Sequence, residues 1–91
     1  MNEAIRLDPS DPDVYINRGN ILSGMSEFER AIEDYSEAIR INPAYSEAYH
    51  NRGIAFHRLG QYEESERDLA KVGELRAQAE EGTPGGDATG K

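Results

Sequence analysis

Large apolar side chains recur along this chain at helical spacing, in two stretches that copy one another. Tyr15, Leu22, Phe28 and Tyr35 mark the first stripe, and Tyr49, Phe56, Tyr62 and Leu69 stand at the same places 34 residues later. The polar positions carry the same period. Sliding the sequence by 34 sets MNEAIRLDP over YSEAIRINP, keeping Glu3/Glu37, Ala4/Ala38, Ile5/Ile39, Arg6/Arg40 and Pro9/Pro43. It also sets Tyr15-x-Asn17-Arg18-Gly19 over Tyr49-x-Asn51-Arg52-Gly53, and Asp34 over Asp68. A repeat of this length reads as stacked helical hairpins with these apolar stripes as their core, because one hairpin cannot bury its apolar face alone.

Punctuation residues set the expected elements. Asp11 can cap a helix and Pro12 suits its first position, so the opening helix should run to about Ser23. Gly24 to Ser26 makes a turn, and Ser26 with Glu29 has the spacing of a capping box that would launch a second helix to about Ile41. Asn42-Pro43 ends it, since the residue before proline is pushed out of the helical region. The second copy should place helices from Ser46 to Arg58 and from Gln61 onward. RAQAEE, after Leu75, consists of helix formers and carries the last helix to about Glu81. The tail GTPGGDATGK is expected to be disordered.

The spaced positions Tyr15, Gly19, Leu22, Phe28, Ala31, Tyr35, Ala38 and Pro43, followed by Tyr49, Gly53, Phe56, Gly60 and Tyr62, resemble the motif of the tetratricopeptide repeat family. Ser65 and Val72 depart from that motif, where small alanine is preferred; Gly73 falls inside the last helix, and Ala77 replaces the closing proline. The resemblance implies an all-α fold of helical hairpin repeats stacked as a short right-handed solenoid. It divides the chain into residues 1–9 as the tail of a truncated preceding repeat, 10–43 as the first full repeat, 44–81 as the second with an extended final helix, and 82–91 as the disordered tail. Beginning inside a repeat favours excision from a longer array.

The resemblance also implies that the first helix of each hairpin faces an inner, concave surface where peptide partners lie. Position by position this gives Asp13, Ile16, Asn17, Asn20 and Ser23, then Glu47, His50, Asn51, Ile54 and His57. Of these, Asn17, Asn20, Asn51, His50, Ile16, Ile54 and His57 are the expected peptide-binding set. The asparagine amides both donate to and accept from an extended backbone. One subclass of the family clamps a C-terminal carboxylate with lysines, asparagines and an arginine. Asn20 and Asn51 match that set, but Ile16 stands in place of its first lysine and Glu47 adds negative charge, so a carboxylate ligand is not expected here.

Charge narrows the partners. With 18 acidic and 10 basic residues the net charge is −8, which disfavours nucleic acid and anionic membrane surfaces and favours a basic or neutral protein partner. No apolar run has the length of a membrane span, and the expected location is cytoplasmic. There is no cysteine, so thiolate metal sites and disulfides are excluded. His50 and His57 lie two turns apart on one helix, about 10 Å along its axis, too far to share one ion. No nucleophile with a base and orienting group is recognisable, nor a phosphate loop, so neither catalysis nor a cofactor is expected.

Arg18 and Arg52 are each followed 16 residues later by an aspartate, Asp34 and Asp68, at a spacing that can bring guanidinium to carboxylate across one hairpin. The expected function is noncatalytic protein–protein interaction, a scaffold segment binding an extended peptide or partner helix on its concave face. The alternative is a structural spacer or a self-association segment of a longer array. Repeat arrays normally end in a polar capping helix. None follows here, so Val72, Leu75 and Leu69 are expected to be exposed and to allow weak self-association.

Overall fold

The structure, a computed structural model, describes residues 10–81, with side chains through Ala79. The expectations for residues 1–9 and 82–91 lie outside the described residues. Four helices follow one another: α1 (Pro12–Gly24), α2 (Phe28–Ile41), α3 (Ser46–Arg58) and α4 (Tyr62–Glu81). The described part is all-α. Asp11 caps α1 by accepting from the Asp13 amide at 3.0 Å, with Pro12 at the first helical position. At the end of α2, Asn42 is extended and its side-chain oxygen accepts from the Ala44 amide at 3.1 Å, turning the chain toward α3.

The turn between α1 and α2 differs from the expected capping box. α2 begins at Phe28, and Ser26 belongs instead to the end of α1, with φ of +63°. The Glu27 amide reaches back to the Leu22 carbonyl at 2.9 Å, and the Ser26 amide to Ser23 at 2.9 Å. This pair of bonds is a Schellman ending, whose pivot residue needs the left-handed conformation that glycine adopts without steric cost. The second hairpin repeats it: Gln61 bonds Phe56 at 2.9 Å, Gly60 bonds His57 at 2.9 Å, and Gly60 has φ of +81°. Ser26 and Gly60 are thus one position of the repeat, and only the second copy holds the residue suited to it.

α1 packs on α2, α3 on α4, and α2 on α3. The shared core contains Ile16, Leu22, Ala31, Tyr35, Ala38, Ala48 and Ala55, bordered by Tyr15, Phe28, Ile32, Ile39 and Tyr45. Its four alanines are at most 1% exposed, and such small side chains let the helices approach closely. Glycine serves the same purpose within each hairpin. A β-carbon at Gly19 would stand 2.6 Å from the Tyr35 ring, and one at Gly53 would stand 3.2 Å from Leu69.

Some of the expected side-chain placements change. Tyr62, expected in the core, is 56% exposed, and Leu69, which the apolar stripe assigned to the core and the uncapped last hairpin to the surface, is 42% exposed. Their counterparts Phe28 and Tyr35 are closed over by α3, whereas no helix stands beyond α4 among the described residues. Val72, expected at the surface, is buried. It occupies the register position of Ala38, inside the packed face of its hairpin. Leu75 is half-buried.

The turn geometry sets a stability prediction. Ser26→Gly should stabilise the fold by about 1 kcal/mol and Gly60→Ala should destabilise it by about as much, because a β-carbon is strained in this conformation. Nothing lies within 4 Å of a β-carbon at Gly60, so packing does not contribute to the difference. Urea titration of the two variants measures both signs.

Candidate functional site

The curvature of the stack identifies its inner side. α1 touches α3 directly, while α2 and α4 do not meet. The first helices of the two hairpins therefore close together as the second helices splay. On this inner side Asn51 donates its amide to the Asn20 side-chain oxygen at 3.0 Å. The same oxygen accepts from the Tyr35 hydroxyl at 2.7 Å, and Ser23 Oγ lies 3.2 Å from that hydroxyl. With both acceptor sites occupied, the Asn20 oxygen points into the structure and its NH2 group is free to donate outward. Asn51 keeps its own oxygen near the surface, 3.4 Å from His50 Nδ1.

Tyr35, expected only as a core residue, supplies the centre of this network. Burial pushes its hydroxyl pKa upward; the Ser23 hydrogen bond opposes this, and the charges of Asp34 and Glu47 reinforce it. The proton it donates to Asn20 is accordingly retained. A signal for this was present in the sequence. Where the first repeat has Asn20 and Tyr35, the second has Ile54 and Leu69, so the polar pair is exchanged as a pair.

The remaining expected residues separate into two groups. Asn17, His50, Ile54 and His57 are exposed, Ile54 at 44%. The His57 ring meets the Tyr62 ring edge-on, with centroids 4.9 Å apart. Ile16 differs: it is 2% exposed and belongs to the core cluster, so it is not available to a ligand. An isoleucine at this position is drawn inward by the apolar core cluster that it joins. Among the described residues, no group of three or more histidine, aspartate or glutamate side chains is arranged to hold a metal ion. No helix among them is long and apolar enough to cross a membrane.

The inner side is supported from behind by the two arginine–aspartate pairs. Arg18 donates Nε and Nη2 to the two carboxylate oxygens of Asp34, each at 2.8 Å, and Arg52 binds Asp68 identically at 2.8 Å. Each guanidinium also lies over the tyrosine one turn before it, Arg18 at 5.6 Å from the Tyr15 centroid and Arg52 at 5.7 Å from Tyr49. The hydrogen bond to its aspartate raises the pKa of each arginine. Their surroundings differ. The Arg52 side chain is 21% exposed and reaches Ser36 of α2 with Nη1 at 3.0 Å, tying one hairpin to the other, while Arg18 is 55% exposed.

A further link crosses the hairpins at the edge of the groove, where the Tyr45 hydroxyl donates to Asp13. That bond, with burial and nearby carboxylates, pushes the Tyr45 pKa up to about 12.

The geometry defines a stack of helical hairpin repeats with an inner face built from the first helix of each. Models of the tetratricopeptide repeat match residues 1–33 and 46–78, and a TPR repeat model matches residues 25–60. Together these matches run through residue 78, and the chain belongs to the tetratricopeptide repeat family. No curated protein sequence matches the chain significantly. Among solved structures it is similar to "Crystal structure of MamA", with 29% identity, a TM-score of 0.80, and coverage of 86% of this chain and 46% of that one. A second, "Crystal structure of MamA protein", has 29% identity, a TM-score of 0.77, and coverage of 87% and 43%. A third, "MamA MSR-1 C2", has 22% identity and a TM-score of 0.76, covers 86% and 43%, and shows the fold alone. The chain spans less than half the length of each of these neighbours.

Arg52→Ala leaves the Asp68 carboxylate, 7% exposed, without its partner and should cost about 3 kcal/mol. Arg18→Ala leaves Asp34, 9% exposed, similarly unpaired, but Arg18 is itself half open to water and makes no bond to the other hairpin, so its loss should cost less, about 2 kcal/mol. Chemical denaturation of the two variants reads the order directly. For Tyr45, the native state keeps a proton that the unfolded chain loses near pH 10, so this contribution is complete below pH 10 and lost as pH rises through about 12. Ultraviolet titration of Tyr45→Phe should lack the component near pH 12. The variant's stability should also fall less steeply across that window.

Proposed function

We propose that this chain is a noncatalytic protein–protein interaction module, a scaffold segment that binds an extended peptide on the inner face formed by α1 and α3. The observation carrying this reading is the Asn20–Asn51 hydrogen bond across the two repeats. It fixes two amides side by side with a donor from Asn20 and an acceptor from Asn51 toward the groove, and a peptide backbone requires that combination. Preorganised side chains lose little rotamer freedom on binding, which favours affinity without demanding a particular peptide sequence. Asn17 extends the polar row. Ile54 and the His57 ring give an apolar step at one end.

Charge selects among peptides. Asp13 and Glu47 flank the groove, and the chain as a whole carries −8, so a basic or neutral peptide is the fitting partner and an acidic one is repelled. Membership of the tetratricopeptide family supports the interaction role in general, and the amide row supports assigning it to the inner face.

Screening an array of basic, neutral and acidic dodecapeptides, then mapping amide shifts for the binders by NMR, tests this reading. Basic binders are expected, with shifts clustered on Asn17, Asn20, Asn51 and Ile54. Asn51→Ala should weaken binding by about tenfold, the loss of one or two hydrogen bonds. Binders whose shifts fall on the outer surfaces of α2 and α4 would overturn the assignment.

A further inference from the structure

The orientation of the Asn20 amide decides what the inner face offers a peptide, and two arrangements of the network around it are chemically complete. In one, Tyr35 and Asn51 donate to the Asn20 oxygen and Ser23 donates to Tyr35. In the other every bond reverses: the Asn20 NH2 group donates to Tyr35 and Asn51, and Tyr35 donates to Ser23. The first turns the donor of Asn20 outward and leaves the acceptor to Asn51, while the second exchanges them. The two ends of an amide have nearly the same shape, so the partners they meet decide the orientation.

Distance and chemistry select the first arrangement. The Tyr35 hydroxyl lies 2.7 Å from the Asn20 oxygen, the length of an O–H···O bond, and the Asn51 amide lies at 3.0 Å, the length of an N–H···O bond. A phenol is more acidic than an alcohol, so Tyr35 is the stronger donor of the two hydroxyls, and its 3.2 Å contact with Ser23 is the weaker of its bonds. The hydroxyl has little choice of position. Tyr35 is 1% exposed, and its Cε1 and Cζ lie 2.6 and 3.0 Å from where a β-carbon at Gly19 would stand, so the hydroxyl end of the ring is held against α1 one residue from Asn20.

We propose that the Tyr35 hydroxyl is a positioning group for the groove: its bond to the Asn20 oxygen holds that amide in a single orientation and thereby fixes which of the two asparagines presents the donor. The fixed orientation is a property of the free protein, and its effect on binding rests on the reading of the inner face as a peptide site. Removing the hydroxyl while keeping the ring leaves Asn51 as the remaining partner of the Asn20 oxygen. The two amides can then reverse together, so both orders are populated and a peptide meets the wrong one part of the time. The second repeat, which has Leu69 in place of the phenol, has Ile54 in place of the amide it would orient.

Tyr35→Phe tests this with two readouts. NMR relaxation of the Asn20 side-chain amide in the free protein should show an ordered group in the wild type and in Ser23→Ala, whose tyrosine still donates, and a mobile or doubled one in Tyr35→Phe. An Asn20 amide that stays equally ordered without the hydroxyl overturns the proposal. Strong NOEs from the Asn20 NH2 protons to the Tyr35 ring in the unmodified protein would turn that group inward, and overturn it without any substitution. Binding is read by fluorescence anisotropy with a labelled basic dodecapeptide taken from the array. Tyr35→Phe should weaken it about fivefold, and Ser23→Ala should leave it within about twofold. In an Asn20→Ala background Tyr35→Phe should have no further effect, because the hydroxyl acts through that amide. A loss of equal size in both backgrounds assigns Tyr35 a packing role alone and overturns the proposal. A wild-type protein that binds none of the peptides removes the inner-face reading and the effect on binding with it, while relaxation in the free protein still decides whether the hydroxyl orients Asn20.

Discussion

Within the first hairpin, α1 and α2 cross at Gly19, and the flat of the Tyr35 ring occupies the space where a β-carbon would otherwise stand. That contact determines where the polar groups go. A ring lying against the backbone of α1 carries its hydroxyl past the helix to Asn20 and Ser23, and the opposite flank of the crossing is left for Arg18 to reach Asp34. Any larger residue at Gly19 would lift the ring, withdraw the hydroxyl and lengthen the arginine pair together. The groove amides and the structural ion pair thus depend on one close approach.

The second hairpin keeps the crossing and the ion pair but gives up the hydroxyl. Leu69 rests on Gly53 as Tyr35 rests on Gly19. Burying a phenol is favourable only when its hydroxyl finds a partner. Inside the stack Asn20 and Ser23 provide one, whereas at the outer end Ile54 has taken the asparagine's place. The same backbone geometry therefore supports a polar joint between repeats and an apolar surface at their end.

Much of this was legible in the sequence. The period of 34 gave the hairpins, helix limits fell within a residue or two, and the spacing of Arg18 and Arg52 from their aspartates anticipated both ion pairs. Local patterns with two meanings misled. Ser26 has the chemistry of a helix start, yet the helix before it claims it as a left-handed ending. Periodicity placed Tyr62 and Leu69 on the core stripe, but their burial depends on a neighbouring helix that no local pattern reports. For Ile16, family position pointed to the groove while its apolar side chain favoured the core cluster. Tyr35 was placed correctly, and its second role emerged only once Asn20 and Asn51 came together.

All helix contacts in the described stack lie between close neighbours in the chain, and this shapes how the molecule opens. α2 and α3 each have a packed helix on both sides, while α4 leans on α3 alone. In such a one-dimensional arrangement, local unfolding proceeds from the ends inward. Backbone amides of α4 should exchange with solvent through its own fraying, and those of α2 and α3 only when the centre opens. The Asn20–Asn51 bond spans that slow centre, so the amides facing the groove remain in register while an end of the stack loosens and reforms.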